Sequence, residues 1–171
     1  MIVWLNGTFG AGKTTTSNEL VKLLPDARIF DSENVGYLLR DVIGDVPCDN
    51  FQEWEPWRSL TVATARDVLG FVGGTLVIPQ TVLVEDYWTQ IIDGLAAAGI
   101  PVHHFVLHTD ADTLTRRING DTEEIRPWRL KHIASYNDAL PWLSRAATVV
   151  DTTERAPSDV AAQIAERVGH G

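Results

Sequence analysis

Gly7-Thr8-Phe9-Gly10-Ala11-Gly12-Lys13-Thr14 decides the fold of this chain. It fits G-x-x-x-x-G-K-[ST] at every fixed position, and an apolar run, Ile2–Leu5, stands directly before it. Glycines admit backbone angles that other residues resist, so successive N–H groups can converge on an anion. A helix after the loop, expected over Thr14–Leu24 with Leu20, Val21 and Leu24 on one face, would add its N-terminal partial charge. This reading makes Gly7, Phe9, Gly10, Ala11, Gly12, Lys13, Thr14 and Thr15 a triphosphate cradle. Lys13 reaches the β- and γ-phosphates, the Thr14 hydroxyl is a ligand of Mg²⁺, and Thr15 adds a phosphate hydrogen bond. The bland alternative is a glycine-rich turn.

Outward from the loop, apolar runs alternate with helical patterns, which points to βα units around a parallel sheet. Strands are expected at Ile2–Leu5, Ala27–Phe30, Thr75–Pro79, Val102–Leu107 and Ala147–Val150. Thr75–Pro79 is the most apolar and reads as central. Helices are expected at Asn34–Ile43 with Ser32 as cap, from Pro56 to Val72 with Leu60, Ala63 and Val68 facing the core, and at Glu85–Ala98. Three more follow at Asp110–Ile118, Trp128–Leu140 and Asp159–Val168, the last capped by Ser158. Asp45–Pro56 reads as irregular. The expectation is one α/β domain over 1–171, a P-loop NTPase fold of the small-molecule or nucleotide kinase type. Its five-stranded parallel sheet is flanked by helices, with a lid at about 117–130.

Composition narrows the partners. The 171 residues carry a formal charge of −9 and one cysteine, Cys48. An intrachain disulfide is excluded, and an acidic chain disfavours broad binding to nucleic acid or anionic membranes. No run approaches the length of a membrane span, so a cytoplasmic location is expected. Five of the fourteen basic residues, Arg116, Arg117, Arg126, Arg129 and Lys131, cluster around the polar loop Asn119–Ile125. They read either as a lid closing over the triphosphate or as a solvated helix face paired with Glu123 and Glu124. His103 and His104 face opposite ways in a strand, and all five histidines are assigned to packing or surface.

The loop alone does not name a reaction. No guanine-reading N-K-x-D is present, and the D-x-x-G matches at Asp41–Gly44 and Asp67–Gly70 fall within helices. The strand ending Ile78-Pro79-Gln80 lacks the acid of motor ATPases. What remains is a small-molecule kinase, which needs a group that accepts the acceptor hydroxyl proton and arginines for the transferring phosphoryl. Asp31-Ser32-Glu33 lies past the second strand, at the carboxyl edge where such sheets place ligands. Asp31 is the candidate base or metal-shell residue and Glu33 shares either task, unless both merely favour the next helix N-terminus. Lys13, Arg117 and Arg126 are the further catalytic candidates, Arg117 also touching nucleotide. Arg40, Trp57 and Gln80 join Glu33 on the acceptor side, although residues such as Trp57, Phe51 and Trp54 are more often simply core.

These residues resemble the tunicamycin-resistance (TmrB-like) proteins, a branch of the phosphate-loop kinases. The matching stretches are Ile2–Thr14, Asp31-Ser32-Glu33 with Gly36 and Leu39-Arg40, Phe51-Gln52 before Trp57-Arg58, Val77-Ile78-Pro79-Gln80-Thr81, His103-His104-Phe105, and Leu114 with Arg117. The resemblance implies an ATP-binding protein that phosphorylates or sequesters a nucleoside antibiotic, with ATP and Mg²⁺ as cofactors and a small-molecule acceptor. Chloramphenicol phosphotransferase and shikimate kinase are more distantly similar, and from them only the role of Asp31 carries over. A nucleoside or nucleotide kinase of ordinary metabolism is the third reading.

Overall fold

The computed structural model describes residues 1–119 and 126–169, with the side chains at 111, 118, 119 and 126–132 outside that description. Five parallel strands form one sheet in the order β2-β3-β1-β4-β5. They are β1 (Ile2–Asn6), β2 (Ala27–Ile29), β3 (Thr75–Pro79), β4 (Val102–His108) and β5 (Thr148–Asp151). The helices between them are α1 (Lys13–Leu23), α2 (Glu33–Ile43), α3 (Glu55–Val72), α4 (Glu85–Ala97), α5 (Ala111–Asn119), α6 (Arg126–Ala146) and α7 (Pro157–Gly169). The centre of the sheet is β1, with β3 beside it in the register Ile2 to Leu76 through Leu5 to Pro79. The expectation that Thr75–Pro79 is central is corrected: β3 is internal, and the central place belongs to β1, the strand that feeds the phosphate loop.

Alternation along β1 builds the two cores. Ile2 and Trp4 pack with α2, α3, α4 and α6, through residues such as Leu39, Trp57, Ile91 and Leu143. Val3 and Leu5 pack with Leu20 of α1 and Ile164 of α7. Successive side chains on a strand point to opposite faces, so a wholly apolar strand covered on both faces is what this pattern requires.

Four further expectations are corrected. Leu60 is exposed, because the helix buries the phase Trp57, Thr61 and Ala65. The helix expected to stop at Leu140 runs on through Pro141 to Ala146. Proline removes one helical hydrogen bond, but Tyr136, Ala139, Trp142 and Leu143 all bury on the sheet, and the Trp142 indole donates to Leu83 O at 3.2 Å. Ser32 does not cap α2 through its side chain. Its hydroxyl donates to Gln80 Oε1 at 2.9 Å, and Asp31 Oδ1 accepts from the Glu33 N–H instead. Ser158 lies inside the first turn of α7, which begins at Pro157.

His104 is more than filler. It stacks on Trp88 with centroids 3.9 Å apart. Its Nδ1 donates to Ala146 O, which leaves Nε2 as acceptor for the Asn6 amide at 3.4 Å. Burial lowers its pKa from 6.5 to about 4 against the Ala146 hydrogen bond. Between those values the unfolded chain binds the proton that the folded chain refuses. Stability is therefore full above pH 6.5 and declines as the pH falls through about 4, by roughly 3 kcal/mol in total. Urea unfolding at stepped pH checks this, with His104→Gln expected to flatten that part of the profile.

Candidate functional site

The loop that opens at Gly7 is shaped by left-handed glycines, with φ of 131° at Gly7, 79° at Gly10 and 94° at Gly12. Gly12 immediately precedes α1, so the loop ends on a helix N-terminus. Lys13 Nζ folds back over the loop and donates to Gly7 O and Thr8 O, both at 2.9 Å. The ammonium also stands 5.5 Å from the Phe9 ring centroid.

A cavity of about 1050 Å³ lies over this loop. One end is walled by the loop from Phe9 to Thr16 together with Arg117, Thr152, Arg155 and Pro157. Arg117 donates to Gly10 O and to Thr152 O, at 3.2 and 2.9 Å, fixing the guanidinium against the loop. Arg155 is held by Asp151 O, Asp159 O and Gln163 Oε1. The rest of the wall includes Glu33, Arg40, Gln52, Gln80, Thr81 and Tyr87. Charges of both signs line the cavity, with Lys13, Arg117 and Arg155 at the loop and Glu33, Asp49, Glu53 and Arg40 on the rest of the wall. Glu33 stands close enough to Lys13 to feel its charge, and Thr81 donates to Gly7 O.

Most sequence candidates meet here. Phe9 to Thr15, Glu33, Arg40, Gln80 and Arg117 line the one cavity. Asp31 is exposed and turned to the Glu33 backbone, so Glu33 carries the carboxylate on the cavity wall. Burial raises the Glu33 pKa, the Asp31 charge adds to this, and Lys13 and the Tyr37 hydroxyl oppose it. A carboxylate so poised is suited to accept a proton. Trp57 is corrected. It is fully buried, its indole donates to Ser32 O at 3.0 Å, and it packs against Phe51 below the cavity wall. Arg126 and most of the expected lid lie outside the described residues or side chains.

Several wall residues were missed. Gln52 sits on a 3-10 turn, Phe51–Glu53, started by Asn50, whose side chain accepts from the Gln52 N–H. Buried Arg58 donates to Gln52 O and to Gln90 Oε1, and its guanidinium lies 4.4 Å from the Tyr87 ring centroid. It thereby sets two wall residues at once. Thr152 and Arg155 follow the last strand, so the carboxyl-edge rule that selected Asp31 pointed to them as well.

The family model described as AAA domain (AAA_33) matches residues 2–124, well over half of the chain. The chain belongs to that family. This AAA_33 protein is also similar in structure to the tunicamycin resistance protein of Deinococcus radiodurans. The TM-score there is 0.80 and the identity 28%, over 98% of this chain and 95% of that one. A sugar kinase from Janibacter sp. HTCC2649 superposes with TM-score 0.71 at 16% identity, over 98% and 94% of the two chains. The Mycobacterium tuberculosis APS kinase in complex with AMPPNP and APS gives 0.59 at 16%, over 98% and 96%. The last two establish the fold alone. No curated protein matches the sequence. The AAA_33 chain thus has a P-loop kinase-type fold, which implies nucleotide binding, and none of its helices among the described residues is long and apolar enough to cross a membrane.

Proposed function

We propose that this protein is an ATP-dependent phosphotransferase acting on a hydroxyl of a small molecule, with resistance to a nucleoside antibiotic such as tunicamycin as its role. The observation that carries this reading is the cavity that joins the phosphate loop to a wall carrying Glu33, Gln52 and Gln80. A sequestering protein needs the loop and a ligand pocket, but it has no use for a carboxylate on the cavity wall whose pKa burial and the Asp31 charge raise against the pull of Lys13. The tunicamycin resistance neighbour supports the acceptor class.

Roles follow from position. The loop amides and Lys13 bind the triphosphate, Arg117 and Arg155 flank it, and Glu33 takes the acceptor proton with Asp31 fixing the turn that presents it. Mg²⁺ suits these residues, because it keeps waters and phosphate oxygens as ligands and needs few protein groups. The described residues hold no group of three or more His, Cys, Asp or Glu that could hold a metal ion, and Thr14 lines the cavity. Bound there, Mg²⁺ would neutralise phosphate charge.

Mass spectrometry of tunicamycin, and of a panel of nucleosides, after incubation with ATP and Mg²⁺ tests the proposal. One added phosphoryl group on an acceptor is the expected result, and Glu33→Gln should slow it about a hundredfold while keeping ATP affinity. An unmodified ligand at full occupancy would favour sequestration, and Asp31→Asn slower than Glu33→Gln would return the base role to Asp31.

A further inference from the structure

The exits of β1 and β3 are tied together by side chains where the ladder ends. Asn6 Oδ1 accepts from the Gly7 N–H at 2.8 Å and from the Val82 N–H at 3.0 Å, and Asn6 Nδ2 donates to Val82 O at 2.8 Å. One buried amide thus makes two cross-strand hydrogen bonds to Val82 and one to the Gly7 N–H, and holds the exit of β3 against the first residue of the phosphate loop. Within that frame the buried Thr81 hydroxyl donates to Gly7 O at 2.7 Å. The same carbonyl is one of the two on which Lys13 Nζ rests. A carbonyl has two lone pairs, so Thr81 and Lys13 can both be served without competition. Thr81 is itself held from the acceptor end, since its own carbonyl accepts from Gln52 Nε2 at 2.6 Å and from Gln80 Nε2 at 3.2 Å.

We infer that Thr81 is a positioning residue for Lys13. Its hydroxyl fixes the direction of the Gly7 carbonyl, and that carbonyl sets where the lysine tip stands when the terminal phosphates arrive. The inference rests on the phosphate-loop reading. It goes further in naming a residue of β3's exit, 74 positions away in sequence from Gly7, as the support of the loop lysine. Glycine carbonyls in left-handed turns have no side chain of their own to brace them, and an unbraced Gly7–Thr8 peptide would let the ammonium wander.

The consequence is selective. A P-loop lysine spans the β- and γ-phosphates, so misplacing its tip should weaken the triphosphate more than the diphosphate. A loss of stability alone would weaken both equally. The test is titration of the full chain with Mg·ATP and Mg·ADP, with melting temperatures alongside. Thr81→Val, which keeps shape and removes the donor, should weaken ATP about tenfold and ADP less than about threefold. Thr81→Ser should restore the ratio, and Thr81→Ala serves as a second donor-less variant if the valine methyl disturbs packing. An unchanged ATP-to-ADP ratio in both donor-less variants, whether affinities hold or fall together, overturns the inference. A wild-type chain that binds neither nucleotide overturns the phosphate-loop reading and takes this inference with it.

Discussion

Lys13→Met is expected to abolish phosphoryl transfer, by at least roughly a thousandfold, because it removes the loop cation that reaches the charge developing on the terminal phosphates. Binding should fall less than chemistry. The loop amides still face the phosphates, and each charge-assisted hydrogen bond lost costs about 1.5–3 kcal/mol. The fold should survive. Lys13 is only half-buried, and its structural duty is to satisfy Gly7 O and Thr8 O. Gly7 O keeps Thr81 as a donor and Thr8 O keeps the Ala11 N–H at 3.3 Å, so a stability loss of about 1 kcal/mol is expected. Steady-state turnover with a melting curve on the same sample checks both parts. A variant with wild-type turnover would remove Lys13 from the mechanism, and one that melts far lower would make its role structural.

Gly7→Ala should do the reverse, damaging fold and site together. At Gly7 φ is 131°, and an added Cβ would stand 2.5 Å from the backbone oxygen of Leu107. That oxygen belongs to β4 and cannot swing away without breaking the sheet, so the loop must yield instead. A cost of about 3 kcal/mol or more is expected, from backbone strain and the forced displacement. Nucleotide binding should be lost with it, because the first residue of the cradle and the anchor of Lys13 move. Gly70→Ala is the internal control. It lies in α3, an added Cβ there meets nothing within 4 Å, and φ falls outside the left-handed range. It should be neutral or gain a few tenths to 1 kcal/mol through helix propensity. Denaturant unfolding of the pair checks the contrast, and equal stabilities would mean that the loop is not held against β4.

The sequence made the sheet legible because strand and helix patterns were local. Ile2–Leu5 is apolar throughout, and only a strand covered on both faces uses such a run. The phosphate loop was legible for the same reason, since all its parts are consecutive. What escaped was decided at long range. Trp57 left a flat surface for a ligand and a core position both open, and its indole found Ser32 O while its ring found the core. The helix expected to end at Leu140 continues through Pro141 to Ala146, where the burial of Trp142 and Leu143 outweighs the lost hydrogen bond. Asp31 and Glu33 are two positions apart, and which one reaches the cavity depended on an N–H to carboxylate bond at the start of α2. The acceptor wall is drawn from separate segments, α2, the 3-10 turn, the exit of β3 and α4, so no single stretch announces it. Arg58, buried behind that wall, gave no sequence signal beyond its place in a resembling stretch.

Isothermal titration of the folded wild-type chain with ATP, in the presence and absence of Mg²⁺, reaches the central claim with no need to know the acceptor. Saturable binding of one nucleotide per chain, strengthened by Mg²⁺ and lost in Gly7→Ala, is the predicted result. Absence of any binding heat across several temperatures, on material whose melting curve shows an intact fold, would contradict it.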